Sequence, residues 1–374
     1  KSVWIIKRNI DLFRAFYDNN DPMYSKGLCQ EVDGRFLIQN PPSRYLEEKE
    51  MDKIASYPYQ RDLHPYHAKD GKVKALETIK FSIMTHHGCW GECNYCAIAA
   101  HQGRTIRTRS EENILSEAKH FTTLKDFKGI ISDVGGPTAN MYGYECKKKM
   151  NLGTCIDNKR CVDAHRLCRT MKVDHSRNIK LLKDIRAIPK VKKAFIASGI
   201  RYDFIAADKN HGKEYLKEII DHHISGQMKI APEHTSDEVL HHMGKPGKQS
   251  LIEFKKMFDD LNKESGKKQF LTYYLIAAHP GCKESHMHEL KQFTTHELKI
   301  NPEQAQVFTP TPGTYSAVMY YTELDPFTKK KIFVEKDTLR KERQKEIVVA
   351  KKKVFVKQSK TLLLECKVKT KLEL

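Results

Sequence analysis

The sequence predicts an α/β fold, a partial (β/α)6 parallel barrel with extensions at both ends. Two observations support this class. Between residues 77 and 309, short apolar runs alternate with helical segments, and parallel strands need such crossover helices. The chain has 374 residues, of which 39% are hydrophobic and 30% are charged, a composition typical of a folded globular protein. We therefore expect the active site beyond the carboxyl ends of the strands.

Six strands and four helices are predicted in this middle region. The strands span residues 79–84, 129–134, 193–198, 227–231, 270–276 and 304–308. The helices span residues 111–124, 178–188, 214–223 and 251–263. Ser110 is a suitable N-cap for the first of these helices. Pro189 ends the second, because proline cannot continue a helix.

Three zones are predicted along the chain. Residues 1–76 are the end of an N-terminal domain. Residues 77–309 form the barrel core, with a cysteine-containing insertion at about 141–175. Residues 310–374 form a C-terminal extension with a lysine-rich tail, in which no helical periodicity is visible beyond Arg340. Because the sequence starts at Lys1 rather than Met, we expect an N-terminally truncated chain.

The formal net charge is +19, and residues 329–374 carry +10 of it through 16 basic and 6 acidic residues. This distribution favours a lysine-rich solvated surface and tail. Nucleic acid is a partner that the charge allows but does not favour. No stretch approaches the roughly 20 apolar residues of a membrane span, and the start shows no signal-peptide pattern. We expect a cytoplasmic protein without a membrane partner.

Ten cysteines in a long chain of this kind indicate metal binding rather than a disulfide framework. Cys89, Cys93 and Cys96 follow the first predicted strand with the spacing C-x3-C-x2-C. Cysteine thiolates hold iron–sulfur clusters, and a four-iron cluster normally takes four of them. Three local thiolates leave one iron open, as a catalytic metal site requires. We predict a [4Fe-4S] cluster here, with a zinc ion as the alternative.

This motif, with Tyr95 before its last cysteine, resembles that of the radical S-adenosylmethionine (SAM) enzymes. The resemblance implies that the open iron binds the methionine end of SAM and that Tyr95 lies beside the adenine. Gly135 and Gly136 follow the second strand and resemble the superfamily's Gly-Gly-Glu motif, whose backbone binds the cofactor's amino group. Pro137 stands where that motif has Glu, so no side-chain contact is implied there.

Polar residues at the ends of the next two strands are further candidates. Ser198 and Arg201 follow the third strand, and in related barrels this region contacts the ribose and carboxylate of SAM. Arginine suits a carboxylate because its guanidinium binds bidentately; a surface ion pair is the alternative. Glu233 and His234 follow the fourth strand, where contact with a substrate and capping of the next helix are equally expected.

Longer strings resemble the YgiQ-type family of radical SAM proteins. They include residues 131–142, 196–203, 229–235 and 278–281, and the match runs in order from about 75 to 325. The resemblance implies an enzyme that uses the cluster and SAM to generate a 5′-deoxyadenosyl radical. It also implies a flavodoxin- or ferredoxin-like electron donor as a partner.

A second cysteine group, Cys146, Cys155, Cys161 and Cys168, lies in the insertion with spacings of x8, x5 and x6. This spacing fits no zinc-knuckle template. The insertion is polar and basic, so it has little core, and a bound metal would offset its chain entropy. We predict a second metal site, zinc or an auxiliary iron–sulfur cluster; reduced thiols or disulfides are the alternative. The isolated cysteines are expected to be free thiols: Cys29, Cys282 and Cys366.

Two other functions stand beside the radical SAM enzyme. The first is a metal-stapled nucleic-acid-binding module whose clusters are structural. The second is a radical SAM enzyme that modifies RNA, which would account for both the charge and the cluster. The cysteine triplet with its aromatic residue favours an enzyme, and the modest charge of the core disfavours a simple binding module.

Overall fold

The computed structural model describes residues 10–156, 160–162 and 167–349. In these residues the strands are short and the helices lie between them. The strands are β1 (Leu28–Val32), β2 (Arg35–Gln39), β3 (Ser82–Met84), β4 (His86–His87), β5 (Arg107–Thr108), β6 (Ile130–Ile131), β7 (Asp133–Gly135), β8 (Lys193–Ala194), β9 (Gln227–Glu233), β10 (Phe270–Ala277) and β11 (Gln306–Val307).

The α-helices of the same residues are α1 (Ile10–Asp18), α2 (Glu48–Ala55), α3 (Lys74–Ile79), α4 (Ile98–Gln102), α5 (Glu111–Phe121), α6 (Lys147–Leu152), α7 (Ser176–Ala187), α8 (Tyr202–Ala207), α9 (Gly212–Glu218), α10 (Asp237–Met243), α11 (Lys248–Glu264), α12 (Glu284–His296), α13 (Tyr315–Thr322) and α14 (Thr338–Val348). Two 3-10 turns span Pro65–Asp70 and Ala139–Met141, and a π-helical turn, Ile219–His223, continues α9.

The strands of the core run parallel and neighbour one another in chain order. β3 pairs with β7, β6 with β8, β9 with β10, and β10 with β11, all in parallel. A parallel bridge between Ile200 and Ile230 joins the third strand segment to the fourth. No pairing between β11 and β3 closes this sheet within the described residues. The predicted α/β class with parallel strands is confirmed, and the sheet is open.

Several predicted strands are shorter in the structure. The strand predicted over 79–84 begins at Ser82, because Ile79 is the last residue of α3. The strand predicted over 193–198 is regular only in β8; beyond it, the Phe195 amide still donates to the Ile131 carbonyl at 2.9 Å. Around these short strands, single backbone hydrogen bonds hold the segments together.

One apolar core lies between the sheet and the helices on its outer side. Ile83, Ile131 and Ile230 from the strands are each at most 2% exposed and pack in the same cluster as Leu182 of α7 and Phe254 of α11. Alternation of apolar residues along strands and helices therefore places the core as the sequence predicts. The opposite side of the sheet carries the polar residues of the candidate site.

The N-terminal segment is tied to the rest of the described chain. Tyr17 of α1 packs against Tyr315 of α13 with ring centroids 4.6 Å apart. Asp21, which is fully buried, accepts a hydrogen bond of 2.9 Å from the backbone N–H of Thr154 in the insertion. Residues 10–24 therefore brace the insertion. The hairpin of β1 and β2, by contrast, leaves Phe36 69% exposed.

The C-terminal segment corrects one expectation. Residues 338–348 form α14, capped by the Asp337 carboxylate, which accepts from the Arg340 backbone N–H. Val348 is fully buried and packs in one cluster with Leu275 of β10. The expected lack of helix beyond Arg340 is wrong, because a short cap and a few buried positions suffice when a sheet supplies the packing partner. The lysine-rich stretch 350–374 lies outside the described residues.

No helix in the described ranges is long and apolar enough to span a membrane.

Candidate functional site

A pair of short antiparallel strands closes the loop that carries the cysteine triplet. β4 and β5 pair antiparallel on either side of residues 88–106, and the Cys89 backbone N–H donates to the Gly103 carbonyl at 3.1 Å. Gly88 has a φ of +86°, and a Cβ there would lie 2.4 Å from the Thr105 carbonyl oxygen. Only glycine fits this position. The loop therefore folds back on itself just after the first core strand.

The three thiols of the triplet are half-buried and lie near one another. The Cys89 sulfur lies 3.7 Å from the Thr138 hydroxyl, and the Cys93 sulfur lies 3.7 Å from Nη1 of Arg201. Burial and then the neighbouring Cys93 thiolate raise the pKa of Cys96 to about 12, and the same two causes raise the pKa of Cys89. Such thiols stay protonated until a metal ion replaces the proton.

The donor set of the triplet consists of thiols alone. Cysteine thiolates are the ligands of iron–sulfur clusters, and each binds a different iron. Cys93 lies close enough to Cys89 and to Cys96 to raise the pKa of both. These three residues would hold a [4Fe-4S] cluster, and the zinc ion stays the alternative.

Arg201 is held beside the triplet by Asp203. Nε of Arg201 donates to Oδ1 of Asp203 at 2.8 Å, and Nη2 donates to Oδ2 at 2.6 Å. Arg201 is 7% exposed, so the pair is buried and not the surface ion pair that was the alternative. A Cβ on Gly91 would lie 2.6 Å from Nη1 of Arg201. The guanidinium thus covers the middle of the cysteine loop, and its role towards a carboxylate stays a prediction.

The two glycines after the second core strand are required by packing. A Cβ on Gly136 would lie 2.7–2.9 Å from three atoms of the His86 ring, and one on Gly135 would lie 3.3 Å from the Ser198 side chain. His86 is fully buried, and burial lowers its pKa to about 3, so the ring is neutral. The close approach that the glycines permit is therefore to the protein itself. Backbone contact with a cofactor stays a prediction.

Ser198 is oriented by Asp133 at the start of β7. The Asp133 carboxylate accepts from the Ser198 hydroxyl and, at 3.1 Å, from the Ser198 backbone N–H. This arrangement fixes the turn after the third strand beside Gly135. The Ser198 hydroxyl is therefore an anchored group at the carboxyl end of the sheet. Its contact with the cofactor's ribose stays a prediction.

Tyr95 meets the end of the fourth core strand. Its hydroxyl donates to Oε1 of Glu233 at 2.9 Å. Glu233 has a φ of +68°, and Ala278, just after β10, has a φ of +57°. Such left-handed backbone in non-glycine residues stores strain and is common at functional sites. Burial raises the pKa of the Glu233 carboxyl, with Lys245 and the Tyr95 hydroxyl opposing the rise.

The structure thus brings Tyr95, Arg201 and Glu233 around the triplet. From the sequence alone, Glu233 was equally expected to contact a substrate or to cap the next helix. The capping alternative for Glu233 is not what the structure shows, because its carboxylate accepts from Tyr95. His234 instead accepts from the Ser236 backbone N–H through Nδ1, at 2.9 Å. A left-handed backbone conformation at a non-glycine residue cannot be read from a sequence. The position of Glu233 at the end of a predicted strand was therefore the only sequence signal for a functional role.

Sequence reasoning missed an ion pair inside the motif itself. Glu92, between the first two cysteines, accepts from Nη1 of Arg104 at 3.2 Å and from the Tyr17 hydroxyl at 3.4 Å. All three residues are buried. Glu92 thereby ties the loop to the N-terminal segment. A charged residue between metal-binding cysteines was the signal that could have found it.

The second cysteine group lies close to the first. Cys146 and Cys161 are buried, whereas Cys155 and Cys168 are half-buried. Cys89 packs against the apolar cluster that includes Cys146 and Cys161. In the described residues every cysteine is a free thiol, including Cys29 and Cys282; Cys366 lies outside these residues.

Comparison with known proteins is consistent with this geometry. Residues 6–82 match the Radical SAM N-terminal family, and residues 83–294 match the Radical SAM superfamily. A UPF0313 protein of Fusobacterium nucleatum is 59% identical over 344 residues, covering 92% of this chain and 60% of that protein. A UPF0313 protein of Clostridium botulinum is 44% identical over 342 residues, covering 91% of this chain and 52% of that protein. The chain thus spans about half to three fifths of the length of these relatives.

Two solved structures are weakly similar. The radical SAM methyltransferase TsrM from Kitasatospora setae, with cobalamin and a [4Fe-4S] cluster bound, gives a TM-score of 0.41 at 11% identity and covers 67% of this chain and 41% of its own. The cobalamin-dependent enzyme OxsB gives a TM-score of 0.42 at 12% identity, covering 84% of this chain and 37% of its own.

The family match over residues 83–294 covers more than half of the 374 residues. It includes the cysteine triplet, the Gly135-Gly136 turn and Arg201. This chain belongs to the radical SAM superfamily.

Proposed function

We propose that this chain is the catalytic core of a radical SAM enzyme in which Cys89, Cys93 and Cys96 hold a [4Fe-4S] cluster with one iron open to SAM. The observation that carries the proposal is the geometry of the loop. Three half-buried thiols lie near one another beyond the first core strand, and a buried guanidinium bound by Asp203 lies 3.7 Å from the Cys93 sulfur. A cluster held by only three cysteines keeps one iron without a protein ligand, as a catalytic metal site requires.

When bound, the cluster and SAM supply reductive cleavage of the cofactor's sulfonium, which yields methionine and a 5′-deoxyadenosyl radical for hydrogen abstraction. The chain's own residues bind the cofactor and orient it. In this proposal Arg201 pairs with the methionine carboxylate through the edge of its guanidinium that Asp203 does not contact. Tyr95 stacks its ring on the adenine while its hydroxyl donates to Glu233. Ser198, anchored by Asp133, contacts the ribose.

Exclusion of water is the second task of these residues. Glu233 and Arg201 are each 7% exposed and Tyr95 is half-buried, so groups bound among them are largely shielded from solvent. Such shielding protects a reactive species from side reactions. The electron that starts the reaction comes from a partner, for which we propose a flavodoxin- or ferredoxin-like protein.

The proposal is tested by anaerobic reconstitution of the chain with iron and sulfide, followed by reduction in the presence of SAM and an assay for 5′-deoxyadenosine. The wild-type chain and a Cys29→Ala variant, which lacks an exposed thiol, are expected to form it. A Cys93→Ala variant is expected to form none. Equal product from Cys93→Ala and wild type, or none from wild type with an intact cluster, would overturn the proposal.

A further inference from the structure

Three of the four insertion cysteines lie near one another. The sulfurs of Cys146 and Cys168 both contact the Thr170 hydroxyl, at 3.6 and 3.1 Å. The Cys168 backbone N–H donates to the Cys161 carbonyl at 2.8 Å, next to an antiparallel bridge between Val162 and Leu167. All three cysteines pack in or against one apolar cluster.

A buried ammonium lies beside one of these thiols. Lys149 is only 2% exposed, and its ammonium donates to the Arg104 carbonyl at 2.7 Å. The Cys161 thiol neighbours this ammonium, as do Glu92 and Glu145. Lys149 is therefore a buried cation next to the sulfur of Cys161.

A second observation is an unused hydrogen-bond donor. Trp90 is fully buried in the same apolar cluster as Cys146 and Cys161, with its ring stacked on Phe204 at 4.3 Å between centroids. Its indole N–H has no acceptor among the described residues. Buried donors of this kind nearly always have a partner, and the sulfur atoms of an iron–sulfur cluster accept such hydrogen bonds.

We propose that Cys146, Cys155, Cys161 and Cys168 bind a second metal centre, a four-thiolate iron–sulfur cluster. The fourth thiolate is assigned to Cys155 because it is the remaining cysteine of the insertion, half-buried on the segment that leaves α6. The described cysteines form no disulfide. The Trp90 N–H in the apolar cluster of Cys146 and Cys161 favours an iron–sulfur cluster, because the sulfur atoms of such a cluster accept hydrogen bonds. With four protein ligands this centre has no open iron, so it does not bind SAM.

A cluster here also explains why the insertion folds. In the described part of residues 141–175, regular structure is limited to the one-turn 3-10 segment, the short α6 and an isolated bridge. Metal binding contributes the folding free energy that so small a core does not supply. Because Trp90 directly follows Cys89, the indole is a neighbour of both cysteine groups. The two centres therefore flank one aromatic ring.

The test is the iron, acid-labile sulfide and zinc content of three full-length chains reconstituted anaerobically. The wild type is expected to hold about eight irons, and a variant with all four insertion cysteines changed to Ala about four, as two four-iron clusters require. A Cys89→Ala/Cys93→Ala/Cys96→Ala variant is also expected to keep about four irons. Its reduced EPR spectrum should not change when SAM is added.

If the variant that lacks the four insertion cysteines fails to fold, the variant that lacks Cys89, Cys93 and Cys96 still tests the proposal. A triple variant without iron, a quadruple variant with the iron of the wild type, or loss of zinc in place of iron would each overturn the second cluster. None of these results bears on 5′-deoxyadenosine formation by the wild-type chain. Failure of this inference is therefore separable from failure of the proposed function.

Discussion

Nη1 of Arg201 lies 3.7 Å from the sulfur of Cys93, while Nε and Nη2 of the same guanidinium donate to the Asp203 carboxylate. The pair is buried, with side-chain exposures of 8% and 10%. A charge so enclosed must be compensated, and Asp203 compensates it. The free edge of the guanidinium is therefore directed at the cysteine loop by its partner and by burial, before any ligand arrives.

Replacing Arg201 with Lys tests this arrangement. Lysine keeps the charge but loses the planar fork, so we expect the dissociation constant for SAM to rise roughly tenfold to a hundredfold. Iron content should stay the same. Binding is measured by calorimetry on the reconstituted chain. Arg177→Lys, at an arginine whose side chain is 45% exposed, is the matched control. Equal SAM affinity in Arg201→Lys and the control would remove Arg201 from the site.

Replacing Gly136 with Ala separates packing from cofactor contact. The new Cβ would meet the His86 ring at 2.7 Å, and overpacking of this kind costs about 1–3 kcal/mol of stability. Gly135→Ala should cost less, because its nearest contact is 3.3 Å. Thermal unfolding of the single variants and of the double variant Gly136→Ala/His86→Ala measures the coupling. If His86→Ala gives no relief, the steric account of Gly136 is wrong.

The Tyr95 hydroxyl is expected to support Glu233 as well as to border the cofactor. In Tyr95→Phe the buried Glu233 carboxyl loses its donor, which costs about 1–3 kcal/mol. Denaturant unfolding checks this value against Tyr66→Phe, at a tyrosine that is 66% exposed. The iron content of both variants should equal that of the wild type. A Tyr95→Phe variant as stable as the wild type would show that the hydrogen bond contributes nothing.

The α14 helix is expected to belong to the folded core. Val348→Ala removes fully buried methyl groups that pack near Leu275, and we expect a loss of about 1–3 kcal/mol. Leu339→Ala on the same helix, at a residue that is 81% exposed, should change little. Both are measured by denaturant unfolding. Equal stability of the two variants would mean that α14 is not integral to the core.

Deletion of residues 350–374 tests whether their positive charge contributes to nucleic-acid binding. Eight lysines and two glutamates lie in this stretch. Without them, non-specific nucleic-acid binding should weaken and its salt dependence should become shallower, because fewer phosphates are neutralised. 5′-Deoxyadenosine formation should persist. A truncated chain with an unchanged salt slope would place nucleic-acid binding elsewhere on the surface.

The sequence allowed the fold class to be predicted, because it follows from local patterns. Alternating strands and helices imply a parallel sheet, and polar residues after the strands imply a site at its carboxyl edge. The partners of those residues lie far away in the chain. Asp133 orients Ser198 across 65 positions, and Glu233 accepts from Tyr95 across 138. Such pairings depend on tertiary packing, which a single sequence does not display.

Residues that the sequence analysis overlooked share one physical feature: they are charged and buried. Glu92 and Arg104 pair beneath the cysteine loop, and Lys149 is buried beside Cys161. Composition assigns such residues to the surface, where charged side chains usually lie. The same expectation hid α14 from the sequence analysis, because its buried positions include the polar residues Lys341 and Gln344. Its packing is supplied by α12, β10 and β11 rather than by an apolar stripe of its own.

Electron–nuclear double resonance on the reduced, reconstituted chain tests the central claim most directly. The probe is SAM labelled with nitrogen-15 in the amino group and oxygen-17 in the carboxylate. If Cys89, Cys93 and Cys96 hold a cluster with one open iron, both labels should couple to its electron spin. The coupling should be present in the variant that lacks the four insertion cysteines and absent in Cys93→Ala. A reduced wild-type cluster that shows no coupling to either label in the presence of saturating SAM would contradict the account.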